Sequence, residues 1–153
     1  MAREAVWLFK SEPQVFSIDD LRAKKKAVWD GVRNYTARNY LRDQVAVGDK
    51  VLFYHSSCPE PGIAGMAAVT RAGFPDPSAL TPGHEYYDPK SDPRSPRWFS
   101  VEVAFQARAK RLIPLAWLRE HEPDLLMFKL NRLSIVPLDA AAGRRLSALA
   151  GHW

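Results

Sequence analysis

The sequence predicts an α+β fold: a single domain over residues 1–153, with a mainly antiparallel sheet, curled or barrel-like, flanked by helices. Three observations predict it. Short apolar or alternating runs of strand length are interspersed with brief helical periods that carry their own start signals. At 153 residues the chain can build one substantial core but not two ordinary ones. No repeat or linker divides it.

The elements follow in chain order. Residues 5–9 are apolar, aromatic and bounded by KSEP, which predicts a buried strand. In SIDD, Ser17 and Asp20 have capping-box spacing, and Ile18 and Leu21 continue at helical spacing. That short helix is expected to end in Lys24, Lys25 and Lys26, where positive charge complements the helix dipole. Residues 29–41 read WDGVRNYTARNYL, a segment dense in hydrogen-bonding and stacking groups, with a helix expected over 32–42. VGDK then turns into a strand over 51–55, and GIAGMAAVTRAG supplies another, with glycines where backbones pass closely.

Residues 74–96 hold six of the twelve prolines, plus Gly83. Such a long irregular loop is either functional or disordered, and its His84, Tyr86, Tyr87 and Asp88 favour an ordered, functional one. Residues 98–107 alternate, as a half-buried strand does. Pro114 introduces the helix LAWLREH, residues 133–136 form a strand, and Asp139 caps a last helix to about residue 149.

Composition narrows the classes. The chain is 46% hydrophobic and 25% charged, which is globular and not disordered. Its net charge of +5 suits a polyanionic partner without requiring one. One cysteine, Cys58, allows no internal disulfide and favours a reducing, intracellular setting, with the cytoplasm, nucleoid included, the expected location. The apolar run 5–9 is too short for a signal peptide core or a membrane span.

Catalytic and metal patterns are mostly missing. His55, Cys58, His84 and Asp88 fit no zinc spacing, and no cofactor-binding loop occurs. The string GIAG lies in a predicted strand, which discounts a KH-type loop. Lys10 and Glu12 alternate at a strand end, where they could form an acid–base pair or simply pack.

Polar and aromatic groups gather instead where elements end, as binding sites do. On a helix over 32–42, Ala37, Tyr40 and Leu41 share the core face, Asn34 falls in line with them, and Tyr35, Arg38, Asn39 and Arg42 lie opposite. An inward Asn34 must be satisfied either by a structural hydrogen bond at the Asp-Gly turn or by a ligand. Trp29, Tyr54, Tyr87 and Trp98 could stack on bases, and Arg33, Arg38, Arg42, Arg108, Lys110 and Arg111 could meet phosphates.

The strings WLFKSEP, FSIDDL, WDGVRNYTARNYL, FYHSSCPEPGIAG, YYDPKS and RLSIVPL, in this order over nearly the whole chain, resemble those of the EVE-domain family. The resemblance implies a PUA-like fold, a curled sheet of five or six strands with flanking helices, related to the YTH readers of methylated adenine and the SRA readers of modified cytosine. It implies a pocket for a modified base, most plausibly 5-methyl- or 5-hydroxymethylcytosine flipped from DNA, with RNA as the other polymer; with catalytic motifs missing, the leading expectation is a non-catalytic, cofactor-free reader. Trp29 would be an aromatic wall, with Tyr54 or Trp98 opposite it. Lys10, Ser11 and Glu12 would be the polar segment after the first strand, with Asp30 beside the tryptophan. Asn34, Tyr54, His55, Ser56 and Gly65 come from the matching motifs, and Ser11, Asp30 and Asn34 would read the base edge. The eukaryotic members' N-terminal extension is not matched, so nuclear location does not transfer, and Phe9 stands where relatives often carry Met. Two other classes stay open: a hydrolase of modified nucleosides, as in the related ASCH branch, with Lys10 and Glu12 catalytic, and a pocket for a small nucleotide-like anion.

Overall fold

The computed structural model describes residues 5–152; residues 1–4 and 153, which the single-domain reading includes, lie outside the described residues. Six strands form one mixed sheet: β1 (Val6–Ser11), β2 (Lys26–Trp29), β3 (Lys50–His55), β4 (Gly62–Pro75), β5 (Phe99–Pro114) and β6 (Ile135–Pro137), in the order β2-β5-β4-β3-β1-β6. Among the described residues only β1 and β3 pair in parallel; every other pair is antiparallel. The helices are α1 (Ile18–Lys24), α2 (Tyr35–Asp43), α3 (Leu115–His121) and α4 (Ala140–His152). Among the described residues no helix is long and apolar enough to cross a membrane.

Local chemistry explains most of these boundaries. The Ser17 hydroxyl accepts from the Asp20 amide at 3.1 Å while the Asp20 carboxylate accepts from the Ser17 amide at 2.8 Å, a reciprocal cap on α1. Asp139 accepts from the Ala142 amide at 2.9 Å and starts α4. The lysine triplet ends α1 as expected: Lys24 is its last residue, and Lys25 caps it by donating its amide to the Leu21 carbonyl at 2.7 Å. Lys25 adopts φ +71°, and Lys26 already opens β2, a four-residue edge strand held by pairing with β5. Long-range pairing decides that segment, which is too short to show a period of its own. Pairing likewise extends β5 to Pro114, beyond the expected end at 107, because Ile63 and Gly62 on β4 still face Ile113 and Pro114.

The sheet is strongly curled. Four steps separate β2 from β1 in strand order, which in a flat sheet would set them about 19 Å apart. Yet the Trp29 ring at the end of β2 lies 5.2 Å from Phe9 on β1 and 5.4 Å from Phe53 on β3. Register shifts at four points between β4 and β5 supply the bend. Gly65 sits at one of them, where a Cβ would come within 2.3 Å of the Ala107 carbonyl oxygen and 2.7 Å of Ile18. Its role is therefore close packing of α1 and β5 onto β4. Phe9 and Phe53 are fully buried in the resulting core.

The loop between β4 and β5 is ordered around one buried carboxylate. Asp76, fully buried, accepts from the Ser78 amide and hydroxyl, from the Gly31 amide at 2.9 Å and from the Arg33 guanidinium at 2.8 Å. It thereby ties this loop to the turn after β2. Burial pushes the Asp76 carboxyl up, but Ser78, Arg33 and the Gly31 amide pull it further down, to a net value below the ordinary carboxylate range.

Removing a buried partner leaves Arg33 and two amides uncompensated. Asp76→Ala is therefore expected to cost about 3–5 kcal/mol in urea unfolding, and a loss under about 1 kcal/mol would overturn this role. Because the folded value lies below the unfolded one, the stabilisation is complete above about pH 4 and is lost as pH falls below it. Wild type should lose stability there more steeply than Asp76→Asn, as followed by thermal unfolding between pH 7 and pH 3.

Candidate nucleic-acid interface

The end of β1 and the end of β2 face each other across a cavity of about 350 Å3. Trp29 forms its floor: the indole is only 8% exposed and is wedged against Phe9, Phe53 and Phe16. Lys10, Ser11 and Glu12 line one side, and Asp30, Gly31 and Arg33 the other. The period-two alternation of β1 and the strand-end position of Trp29 thus bring together the two segments that the sequence marked as polar.

Besides Trp29, the aromatic side chains at this cavity are Tyr86 and Phe16, not Tyr54 or Trp98. Gly31 adopts φ +78°, and a Cβ there would lie 2.6 Å from the Tyr86 ring. Glycine therefore serves both the turn and the close approach of the ring. Arg33 fixes Tyr86 from below, donating to its carbonyl at 2.7 Å and lying 5.6 Å from its ring centre. Sequence reasoning singled out Tyr87, one position away, because an irregular loop has no period to tell the two apart; Tyr87 itself is exposed. Phe16, Val15, Val28 and Val32 complete the apolar wall and were also missed.

Several expected site residues sit elsewhere. Asn34 does not point inward: α2 begins three residues later than expected, and exposed Asn34 is its cap, accepting from the Ala37 amide at 3.0 Å. Trp98 is buried beneath Tyr35, with ring centres 4.9 Å apart, and donates its indole N–H to Asp88 at 2.7 Å. Tyr54 and Ser56 line a separate, larger cleft of about 680 Å3, on which Lys10 and Glu12 also border. His55 lines a third recess with Arg108 and Lys110, and its Nε2 accepts from the Ile18 amide at 3.1 Å, bracing the start of α1.

The arginines divide by what holds them. Arg33, paired with Asp76 and bonded to two carbonyls, is a structural strut and not a free phosphate arm. Arg38 donates to the Arg97 carbonyl at 2.8 Å and lies over the Tyr35 ring. Arg42 and Arg108 make exposed pairs with Asp43 and Asp19, and such pairs open at little cost. Exposed Lys110 has no ion pair among the described residues.

The electrostatics around the Trp29 cavity are unusual for exposed loops. Partial burial, with Asp76 nearby, pushes the Asp30 carboxyl above its ordinary value, while burial lowers that of Lys10. Asp30 therefore gives up its proton less readily than a solvated aspartate. Among the described residues no group of three or more His, Cys, Asp or Glu side chains is placed to hold a metal ion.

Known proteins carry the same architecture. The model of the EVE domain matches residues 5–149. Human thymocyte nuclear protein 1 is 40% identical over 153 aligned positions, covering 86% of this chain and 68% of the human protein. A hypothetical protein from Leishmania major superposes with a TM-score of 0.87 at 44% identity, covering 95% of this chain and 96% of that one. The human THYN1 protein in complex with 5-methylcytosine containing DNA superposes with a TM-score of 0.89 at 38% identity, covering 96% and 98% of the two chains. The curled, PUA-like α+β arrangement expected from the sequence is the fold they share. Matched from the first described residue to within a few positions of the last, the chain belongs to the EVE domain family.

Proposed function

We propose that the protein is a non-catalytic reader of a modified base in DNA, with 5-methylcytosine the leading candidate and 5-hydroxymethylcytosine the next. The observation that carries it is the cavity in which Trp29 and Tyr86 flank a polar wall of Ser11 and Asp30. The similarity to a human protein crystallised with 5-methylcytosine containing DNA supports the same choice of ligand. A base reaches such a recess only when extruded from the stack. Cytosine offers an amino donor at its edge, and the Asp30 carboxylate at the cavity wall can accept from it, which is the role assigned to Asp30. Val15, Val28 and Val32 give a 5-methyl group apolar contact. One methyl is worth about 1–3 kcal/mol, so the preference over cytosine is about 10–200-fold.

Lys10 and Glu12 in the same cavity give the hydrolase alternative its two candidates. The two readings part on product: a reader binds and releases modified oligonucleotide unchanged, whereas a hydrolase liberates free base or altered nucleoside. The proposed setting is the cytoplasm, in contact with accessible DNA.

Fluorescence anisotropy with methylated and unmethylated oligonucleotides tests the reader. Tyr86→Ala should weaken methylated-strand binding by about 1–3 kcal/mol while leaving the salt dependence unchanged. Asp30→Ala should abolish the preference for cytosine over the other bases. Trp29→Ala is the weaker test, because the ring also belongs to the core. Should both Tyr86→Ala and Asp30→Ala bind as wild type does, the base lies elsewhere. Gly31→Ala, strained at φ +78° and clashing with the Tyr86 ring, should lose affinity for the methylated strand about as Tyr86→Ala does.

A further inference from the structure

The cleft of about 680 Å3 on the other side of the β1 end has the chemistry of an anion site and the size of a nucleotide site. Lys10, Glu12 and Ser134 line both this cleft and the Trp29 cavity, so the two recesses meet at the Lys10 side chain. Two arginines border the cleft: Arg119, in the last turn of α3, and Arg132, in the turn before β6. Neither makes an ion pair or side-chain hydrogen bond among the described residues. The arginines in and just before α2 are in a different state, since Arg33, Arg38 and Arg42 are all engaged within the protein.

We infer that this cleft holds the phosphate and sugar of the nucleotide adjoining the base read in the Trp29 cavity, so that one strand crosses the end of β1 at Lys10. The inference rests on the base-reading proposal for the strand's direction of approach, and on the cleft's own chemistry for the rest. Guanidinium groups match phosphate oxygens bidentately, and two of them without ion pairs line this one recess. Ser56, Ser57 and Asn131 add hydrogen-bonding groups, while Phe128 and Leu115 offer apolar contact to a sugar or base. Ser57 holds φ +52°, a left-handed conformation that a non-glycine residue rarely adopts, at the lip of the cleft. The Tyr54 hydroxyl is pushed up to about 12 by burial and so remains a donor at every physiological pH. Among the described residues Glu12 is the one carboxylate lining the cleft, against three cations: Lys10, Arg119 and Arg132. The Lys10 ammonium reaches the Asn131 carbonyl at 3.3 Å, across the point where a linking phosphate would pass.

The test uses 5-methyl-2′-deoxycytidine, its 5′- and 3′-monophosphates, and methylated and unmethylated trinucleotides, titrated by calorimetry at two salt concentrations. Wild type and the double variant Arg119→Gln/Arg132→Gln are compared, with equal melting temperatures as the check on folding. Wild type should bind the methylated trinucleotide at least about tenfold more tightly than the nucleoside, as a charge-assisted phosphate contact requires. The double variant should lose most of that gain, and its slope of log affinity against log salt should become shallower by about 0.7 for one lost phosphate contact on a single strand. Its ratio of methylated to unmethylated binding should not change. An unchanged gain and slope in the double variant would overturn the inference. A gain complete with one monophosphate, and no larger with the trinucleotide, would overturn the strand path in favour of a free nucleotide. If wild type does not distinguish methylated from unmethylated strands but the arginine effect persists, the base-reading proposal fails and the cleft assignment stands.

Discussion

The contact of Trp29 with Phe9 and Phe53 is the constraint on which the rest depends. It joins β2 to strands three and four places away in the sheet, and so can form only when the sheet curls almost onto itself. The curl in turn needs the irregular pairing of β4 with β5, and the absence of a side chain at Gly65. Once the ends of β1 and β2 are opposed, the residues following each of them, Lys10–Glu12 and Asp30–Arg33, become the two walls of one cavity. The site is thus a consequence of barrel closure. A tryptophan that is both keystone and cavity floor couples the stability of the core to the shape of the recess.

A second constraint holds the remaining wall. Tyr86 comes from a loop without regular structure, and such loops ordinarily sample many conformations. Here the buried Asp76 pins the start of the loop to the Gly31–Arg33 turn, and Arg33 carries the pin on to the Tyr86 carbonyl. Isolated, either charge would be costly to bury; together, with every oxygen of Asp76 accepting at least one hydrogen bond, they make a rigid joint. This explains why a segment rich in Arg, Asn and Asp contributes so few free polar groups to the surface of the cavity. Its polarity is spent on positioning.

That distinction sets what was legible in the sequence. The fold class, the caps on Ser17 and Asp139, and the strands β1, β3 and β4 follow from local pattern, and the structure agrees with them. The clustering of Lys10, Ser11 and Glu12 with Trp29 and Asp30 also follows, through the family resemblance carried by their motifs. Strand β2 did not, because four residues beginning with lysine have no readable period and depend on β5. Asn34 was misdirected by a helix start set at 32 instead of 35; three residues turn a helix through most of a circle, which exchanges a cap for an inward side chain. Tyr86 and Tyr87 could not be distinguished, since the choice is made by Asp76 and Gly31 from distant parts of the chain.

The separation of bound and unbound arginines bears on how a reader of this build would divide its work. A methyl group adds only about 1–3 kcal/mol, and extruding a base from a duplex costs a few kcal/mol, so the cavity alone would barely recover its own expense. Net affinity has to come from phosphate contacts, which carry no sequence information. Under the proposed function, the engaged Arg33 keeps the recognition cavity rigid, while the unpaired Arg119 and Arg132 lie beyond Lys10 where they cannot alter the fit of the base. Discrimination and affinity would then reside in adjoining recesses that share only Lys10, Glu12 and Ser134. Salt would tune the second without changing the first, because screening weakens exposed guanidinium–phosphate attraction far more than contacts inside a half-closed cavity.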